Sequence, residues 1–397
     1  MSGAPTVSPQ TPSLEALGNG FARALGRDAG GACEQAFVAQ AHEDYAADET
    51  PEIDGDDLAA VLAAAWRAAE ARTTGQPARI TTGPLLGAGG RVTPYDLIVI
   101  VQDDAPFLVD SVMGQMAEAG VTVRAMFHPV LVREAARESV IMVVADPLPQ
   151  ERRDELTRAL TTTLADVHAA VADHGAMQAL MARSIAHLEG SPNGVDAAVI
   201  AENIAFLQWM NADHFVFLGA RDYDYPRTAD GAYEAEAPLS QSGDGLGVLR
   251  DPQRTVLRRA NEPAVLTKQM KRQLDLSEPV TVAKANVRSN VHRRAYMDYV
   301  GVKRFGADGR PSGETRFVGL FTAEAYDRAA GEVPLVRRKV AGALVRAGKA
   351  EGSHSYKRLK NILENYPRDE LFQIGEDELL EIALGILHLH DRPRIKS

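Results

Sequence analysis

The sequence predicts an α+β protein built from more than one domain. Two patterns carry that expectation. Over 95–145 and again over 214–321, apolar residues run in short alternating or continuous stretches bounded by Gly, Pro and Asp, as strands do. Over 13–72, 156–188, 195–210 and 333–390 they recur every three or four positions, as helices with one buried face do. The 397 residues, 45% of them hydrophobic, leave room for two or three such domains.

Residues 1–12 are rich in Ser, Pro and Gly and read as a disordered tail. A helical segment follows over 13–75. Its last helix sets Leu58, Val61, Leu62 and Ala65 on one stripe, behind Asp54, Asp56 and Asp57, acids that the positive end of a helix favours. Thr73 to Pro77 breaks it. The stretch 78–173 then alternates. Tyr95 to Val101 is a strand candidate. Asp104-Ala105-Pro106 opens a helix, with Asp104 as its expected N-cap and proline in the first turn. Leu108, Val112, Met116 and Ala119 share one face of it, and Gly120 ends it. Val121 to Phe127 alternates as a strand that Pro129 bends, ends or places at a sheet edge, and Ser139 to Ala145 is the next. Leu156, Leu160, Leu164, Val167 and Val171 form the stripe of a long second helix. The resulting βαββα order implies a sheet with helices packed on one face.

A connector over 174–194 carries Met177, Leu180, Met181, Ile185 and Leu188 at helical spacing. It closes on Gly190-Ser191-Pro192-Asn193-Gly194, the clearest loop and the expected domain boundary. A helix from Val195 to Met210 leads into a strand-rich region extending to 330, with candidates at 214–221, 264–268, 279–285, 295–304 and 315–321. Residues 331–397 return to helical spacing. Asp391 to Ile395 reads as a strand just entering a further domain, so an interrupted polypeptide is expected, a fragment or one part of a split protein.

The net charge of −11 argues against a general nucleic-acid binder, which needs a basic surface. Cys33 is the single cysteine and has no partner for an internal disulfide, so the chain reads as cytoplasmic. The first twelve residues lack the apolar core of a signal peptide, and no apolar run reaches the roughly 20 residues a membrane helix needs.

The strand-to-helix turn over Asp103–Ser111 is the best candidate for ligand binding. Free backbone N–H groups at a helix start can hold a carboxylate such as that of an amino acid, unless Asp104 already caps them. Gly243-Asp244-Gly245-Leu246-Gly247 lacks the spacing of a dinucleotide fingerprint and is not followed by a helix, so it reads as a glycine-rich hairpin. His292 to Arg304 mixes bases with aromatics, as an anion or nucleic-acid surface would, and the simpler reading is one two-faced strand. Arg337-Arg338-Lys339 reads as a solvated helix face or an interdomain ion-pair site. His388 and His390, two apart on a helix, point to different faces and do not make a metal pair. No catalytic, cofactor-binding or metal-binding residue is assigned.

Several segments resemble the large bacterial NAD-specific glutamate dehydrogenases. They are Asp103 to Val112, Phe127 to Leu131, Asp213 to Gly219, Val291 to Phe305, Phe317 to Thr322, and Asn361 to Glu364 with Pro367 to Ile374. The resemblance runs from about residue 35 to the end. It implies the N-terminal regulatory part of such an enzyme: an ACT-type, ferredoxin-like domain over 78–173, then a PAS-like domain over 195–330. The NAD-binding catalytic domain would lie elsewhere in the polypeptide. The turn at Asp104, Pro106, Phe107 and Leu108 resembles the ACT effector turn, with those four residues as the implied amino-acid contacts. Phe107 stands where that turn has glycine, and its ring would fill the pocket. The expected last strand after the second helix is missing, and Ala78 to Thr82 would fill that edge. The implied partners are the chain's own catalytic domain or other subunits of a homo-oligomer, with no nucleic acid and no membrane.

Three functions compete. The first is a non-catalytic regulatory and assembly portion of glutamate dehydrogenase, inactive alone. The second is a stand-alone amino-acid sensor using the Asp104 turn. The third is an independent enzyme with an unrecognised site.

Overall fold

The computed structural model describes residues 11–45, 53–133, 136–190, 194–229, 233–234, 240–256 and 278–391. Packing divides the chain into two units. One comprises Met1–His168 with Asn290–Arg294, the other Ala169–Ser289 with Ala295–Ser397.

The first unit opens with α1 (Leu14–Leu25), α2 (Ala32–Glu43) and α3 (Gly55–Glu70). Asp54 caps α3 by accepting the Asp57 N–H at 2.8 Å. The expected stripe of Leu58, Val61, Leu62 and Ala65 is wholly buried. Phe21, Phe37 and Trp66 meet in one aromatic cluster, with ring centroids 5.3–6.1 Å apart.

Next come β1 (Arg79–Leu86), β2 (Val92–Asp103), α4 (Leu108–Glu118), β3 (Val123–Phe127), β4 (Val130–Arg133), β5 (Ala136–Ala145) and α5 (Gln150–Ala172). The sheet order is β1-β2-β5-β3, with β4 also on β5 and every pair antiparallel. The edge left open in the βαββα pattern is taken by β1, which runs beside β2 from Arg79↔Val101 to Leu86↔Val92. As expected, the strand ends before Pro129 and lies at the sheet edge; the chain turns there and β4 continues the pairing with β5. One expectation changes: helices cover both faces. Leu97, Val99, Val101, Val140, Met142 and Val144 pack against α1–α3. The opposite face meets α5 through Thr82–Thr157, Asp96–Arg153 and Gln102–His168 contacts. Burial on both sides is why β2 and β5 read as nearly continuous apolar runs.

The contact boundary falls inside α5, between His168 and Ala169, and Gly194 belongs to the second unit. That unit continues with α6 (His174–Gly190) and α7 (Ala197–Trp209), then β6 (Phe215–Asp224), β7 (Ser240–Gly247), β8 (Val280–Arg288), β9 (Tyr296–Phe305) and β10 (Pro311–Phe321). It closes with α8 (Ala323–Asp327), α9 (Val336–Arg346), α10 (His354–Glu364), α11 (Arg368–Gln373) and α12 (Glu376–Asp391). The sheet is antiparallel, in the order β7-β6-β10-β9-β8. Ala220, Val300, Val302 and Phe317 on one face join a core with Met177, Met181, Phe206, Leu207, Val336, Leu363 and Leu379 from the helices.

The glycine-rich 243–247 segment is a strand, not a hairpin turn. It pairs with β6 from Gly219↔Gly247 to Asp224↔Ser240. A Cβ at Gly245 would sit 1.8 Å from the Leu249 carbonyl oxygen, so the crossing backbone excludes any side chain there. The strand candidate at 264–268 and the one beginning at 391–395 lie outside the described residues, apart from Asp391, which ends α12. Among the described residues no helix is long and apolar enough to cross a membrane.

Candidate functional site

The turn between β2 and α4 is built differently from its sequence reading. Asp104 does not cap the helix. Its N–H donates to the Arg137 carbonyl at 2.9 Å, and its carboxylate accepts from Arg137 Nε at 3.1 Å, which holds it to the end of β5. Pro106 lies in the turn, and the N-cap position falls to Phe107. Phe107 is left-handed (φ 69°, ψ 3°) and gives no side-chain cap. A bulky residue there is strained, and it persists only where its surroundings hold it. Leu108, the first residue of α4, is buried at 2% exposure and faces the core, not solvent.

Residues Asn290–Arg294 supply what holds this turn. The His292 N–H donates to Ser111 Oγ at 2.8 Å, and Ser111 Oγ donates onward to the Phe107 carbonyl at 2.6 Å. His292 Nδ1 bonds Asp110 Oδ2 at 2.9 Å, and its ring lies 5.1 Å from that of Phe107. His292 is itself left-handed (φ 63°). Arg294 lies along α4. Gly114 leaves it room, since a Cβ there would come within 3.1 Å of Arg294 Cγ. The guanidinium reaches the Gln115 side chain and pairs with Glu118 at 3.4 Å. Burial pulls its pKa below the ordinary arginine value, against the opposing pull of Glu118 and Asp166. Asn290 donates to Asp166 Oδ2 on α5 at 2.9 Å. Of the four expected contacts, Phe107 therefore meets a residue of this chain, Asp104 is engaged by Arg137, and Leu108 is core. The expected single strand over 292–304 begins only at Tyr296; its first residues form this turn instead.

Behind Asp103 lies a buried ionic knot. Arg72 Nη1 donates to Glu138 Oε1 at 2.6 Å and to Asp103 Oδ1 at 3.0 Å; the Arg72 and Glu138 side chains are 2% and 0% exposed. Burial pushes the Asp103 pKa up, but the Gly75 N–H and Arg72 outweigh it and hold it below the ordinary carboxylate value. Burial lowers both His128, on Ser139 Oγ, and His168, on Gln102. Through Asp103 and Glu138, Arg72 ties the segment that follows α3 to the sheet.

Clefts elsewhere in the first unit do not include the 104–108 turn. One of about 590 Å³ lies between α1 and α2, lined by Leu14, Phe21, Asp28 and Val38. Another, of about 450 Å³, lies beside Gly87–Gly90 with Arg23 and Arg67. Among the described residues no group of three or more His, Cys, Asp or Glu could hold a metal. In the basic run at 337–339 Arg337 is exposed, as expected of a solvated helix face, and the run is also engaged in ion pairs and hydrogen bonds. Arg337 pairs with Glu202 at 2.8 Å, Arg338 with Glu278, and Lys339 Nζ donates to the Leu371 and Phe372 carbonyls at 3.1 and 2.9 Å, all within the second unit.

An antiparallel β1-β2-β5-β3 sheet, with a helix between β2 and β3 and another after β5, defines the class: an α+β protein with a ferredoxin-like, ACT-type sheet. The family model for the glutamate dehydrogenase ACT1 domain matches residues 37–179, and that for glutamate dehydrogenase helical motif 1 matches 333–392. The chain is similar to the NAD-specific glutamate dehydrogenase of Halomonas elongata, at 32% identity over 363 residues, and to that of Pseudomonas aeruginosa, at 30%. Each of those alignments covers 86% of this chain and 22% of the relative. The Mycobacterium tuberculosis enzyme is 29% identical over 236 residues, 59% of this chain and 13% of the relative. The chain belongs to the NAD-specific glutamate dehydrogenase family, as part of its N-terminal region.

Proposed function

We propose that this chain is a non-catalytic regulatory and assembly region of an NAD-specific glutamate dehydrogenase, whose oxidation of L-glutamate belongs to another part of the polypeptide. The observation that carries this is the turn at Phe107. The site an ACT-type sensor would offer to an amino acid is engaged by the chain's own Asn290–Arg294 through Ser111, Asp110 and Gln115. That contact ties sequence-distant segments together, which suits a part that transmits or fixes an arrangement better than a free-standing sensor. NAD is the cofactor of the whole enzyme and is not assigned to these residues.

The strand order of the second sheet, 2-1-5-4-3 in chain order, supports a PAS-like reading of 195–330. Assembly partners in this reading are the catalytic domain and other copies of the enzyme, in the cytoplasm.

Two measurements test the proposal. The purified chain should form no NADH from L-glutamate and NAD; sustained turnover would overturn it. Amide hydrogen exchange over 104–111 should be unchanged by L-glutamate and other amino acids. Selective protection there would favour the sensor instead.

A further inference from the structure

The second sheet has a face opposite its helix-covered one, and that face is polar yet equally buried. Register places Arg221 and Tyr223 of β6, Glu314 and Arg316 of β10 and Tyr299 of β9 on it, at 1–7% exposure. Arg316 is matched there. Its Nε donates to Glu314 at 2.5 Å, the Tyr299 hydroxyl donates to the same carboxylate at 2.8 Å, and its guanidinium lies 4.2 Å from the Tyr223 ring centroid.

Arg221 is not matched. It is 2% exposed. Its Nη2 donates to the carbonyl oxygens of Leu249 and Asp251, both neutral acceptors. Its Nε and Nη1 are buried and meet no acceptor, and no carboxylate among the described residues pairs with it. A guanidinium does not lose its proton in a protein, so burial leaves this charge to be met by something else. The strand beside it is shaped around it: a Cβ at Gly245 would come within 2.8 Å of Arg221 Nε.

We propose that Arg221 anchors a buried binding site for a small oxyanion, a carboxylate or a phosphate, on the polar face of the second sheet. Planar N–H donors match such oxygens, and a charge-assisted bond to Nη1 would satisfy that donor and meet the unpaired charge. If Arg221 served only to clamp the 248–251 turn to β6, the two carbonyl bonds would suffice, and the charge and remaining donors would stay unmet. The inference does not depend on the regulatory role proposed above.

The test uses the whole 397-residue chain. Thermal unfolding is followed with sodium phosphate, succinate, L-glutamate and 2-oxoglutarate against sodium chloride at equal ionic strength, for wild type and Arg221→Gln. At about 100 times its Kd, an anion bound only by the folded state should raise Tm by roughly 5–10 °C in a unit of this size. The increase should saturate and be absent in Arg221→Gln. A phosphate-only response identifies a phosphate site, and a response confined to the carboxylates identifies a carboxylate site. Should Arg221→Gln fail to fold, ¹⁵N side-chain spectra of arginine-labelled wild type decide: one slowly exchanging Nε–H resonance should shift on titration. The proposal is overturned if no anion exceeds chloride, if wild type and Arg221→Gln respond alike, or if no arginine resonance moves.

Discussion

The knot at Arg72 offers the sharpest energetic test of the first unit. Arg72→Met keeps the apolar stem and deletes the charge that Glu138, at 0% side-chain exposure, depends on. What remains near Glu138 is Arg133 at 3.4 Å, a longer contact from a side chain one-third exposed. Breaking a buried pair by removing one partner costs about 3–5 kcal/mol, because the other charge is left uncompensated. Asp103 adds little, since its side chain is 38% exposed and keeps the Gly75 N–H. For a unit of roughly 170 residues that loss lowers Tm by about 10 °C. The chain has two tryptophans, Trp66 in the first unit and Trp209 in the second, so a Trp209→Phe background makes fluorescence report the first unit alone. Urea unfolding in that background should show the midpoint fall in Arg72→Met. Arg72→Met with Glu138→Leu should regain at least half of the loss, since an apolar pair of similar volume carries no desolvation penalty. A loss under about 1 kcal/mol, or a double variant no more stable than the single, would refute the reasoning.

Other consequences follow from the second unit. Lys284 pairs with the buried Asp298 at 2.6 Å, and burial raises the Asp298 pKa against the pull of Lys284 and the Phe321 N–H. Lys284→Met should therefore cost about 3 kcal/mol or more and Asp298→Asn much less, as read by chemical denaturation; the reverse order would contradict it. Asp173 is held below the ordinary carboxylate value, chiefly by its bond with Arg250 and then, against the effect of burial, by the Gly247 N–H. Its depressed pKa stabilises the folded state above the unfolded carboxylate value of about 4, and that contribution fades as pH falls toward the folded pKa. In Asp173→Asn the stability difference from wild type should thus be largest at pH 6–7 and shrink below pH 4; a constant difference would exclude linkage. Gly245→Ala should cost about 3 kcal/mol or more, because its Cβ meets backbone at 1.8 Å. A near-neutral result in thermal unfolding would show that β7 can move away.

The elements of the first unit were legible where one period or one cap decided them. The stripe at Leu58–Ala65 and the alternation around Val123–Phe127 needed nothing beyond side-chain spacing. Asp104 was misread because a carboxylate before a proline looks like a cap whether or not the helix starts there. The true start, with Phe107 at positive φ, depends on His292 and Ser111, more than 180 residues apart in sequence. The run 292–304 did carry a signal, in its mix of bases and aromatics, but periodicity merges a turn with the strand that follows it. In β7 glycine hides the strand, since alternation cannot be read from residues without side chains.

Arg221 marks a further limit of pattern reading, and it bears on where this region's chemistry resides. In β6 the order Gly219-Ala220-Arg221-Asp222-Tyr223 looks like a strand with one solvent face, because charged residues are rarely buried without a partner. Both faces are in fact covered, and the sheet pairs Arg221 with Arg316, two like charges side by side at one register position. Glu314 answers only one of them. The ACT-type turn shows the opposite condition, since its exposed-looking groups are engaged by Asn290–Arg294. A small ligand would have to compete with existing bonds at Phe107, whereas at Arg221 it would supply bonds that the protein does not make for itself. If one small anion acts on this region, the unmet charge in the second unit gives it the larger binding free energy.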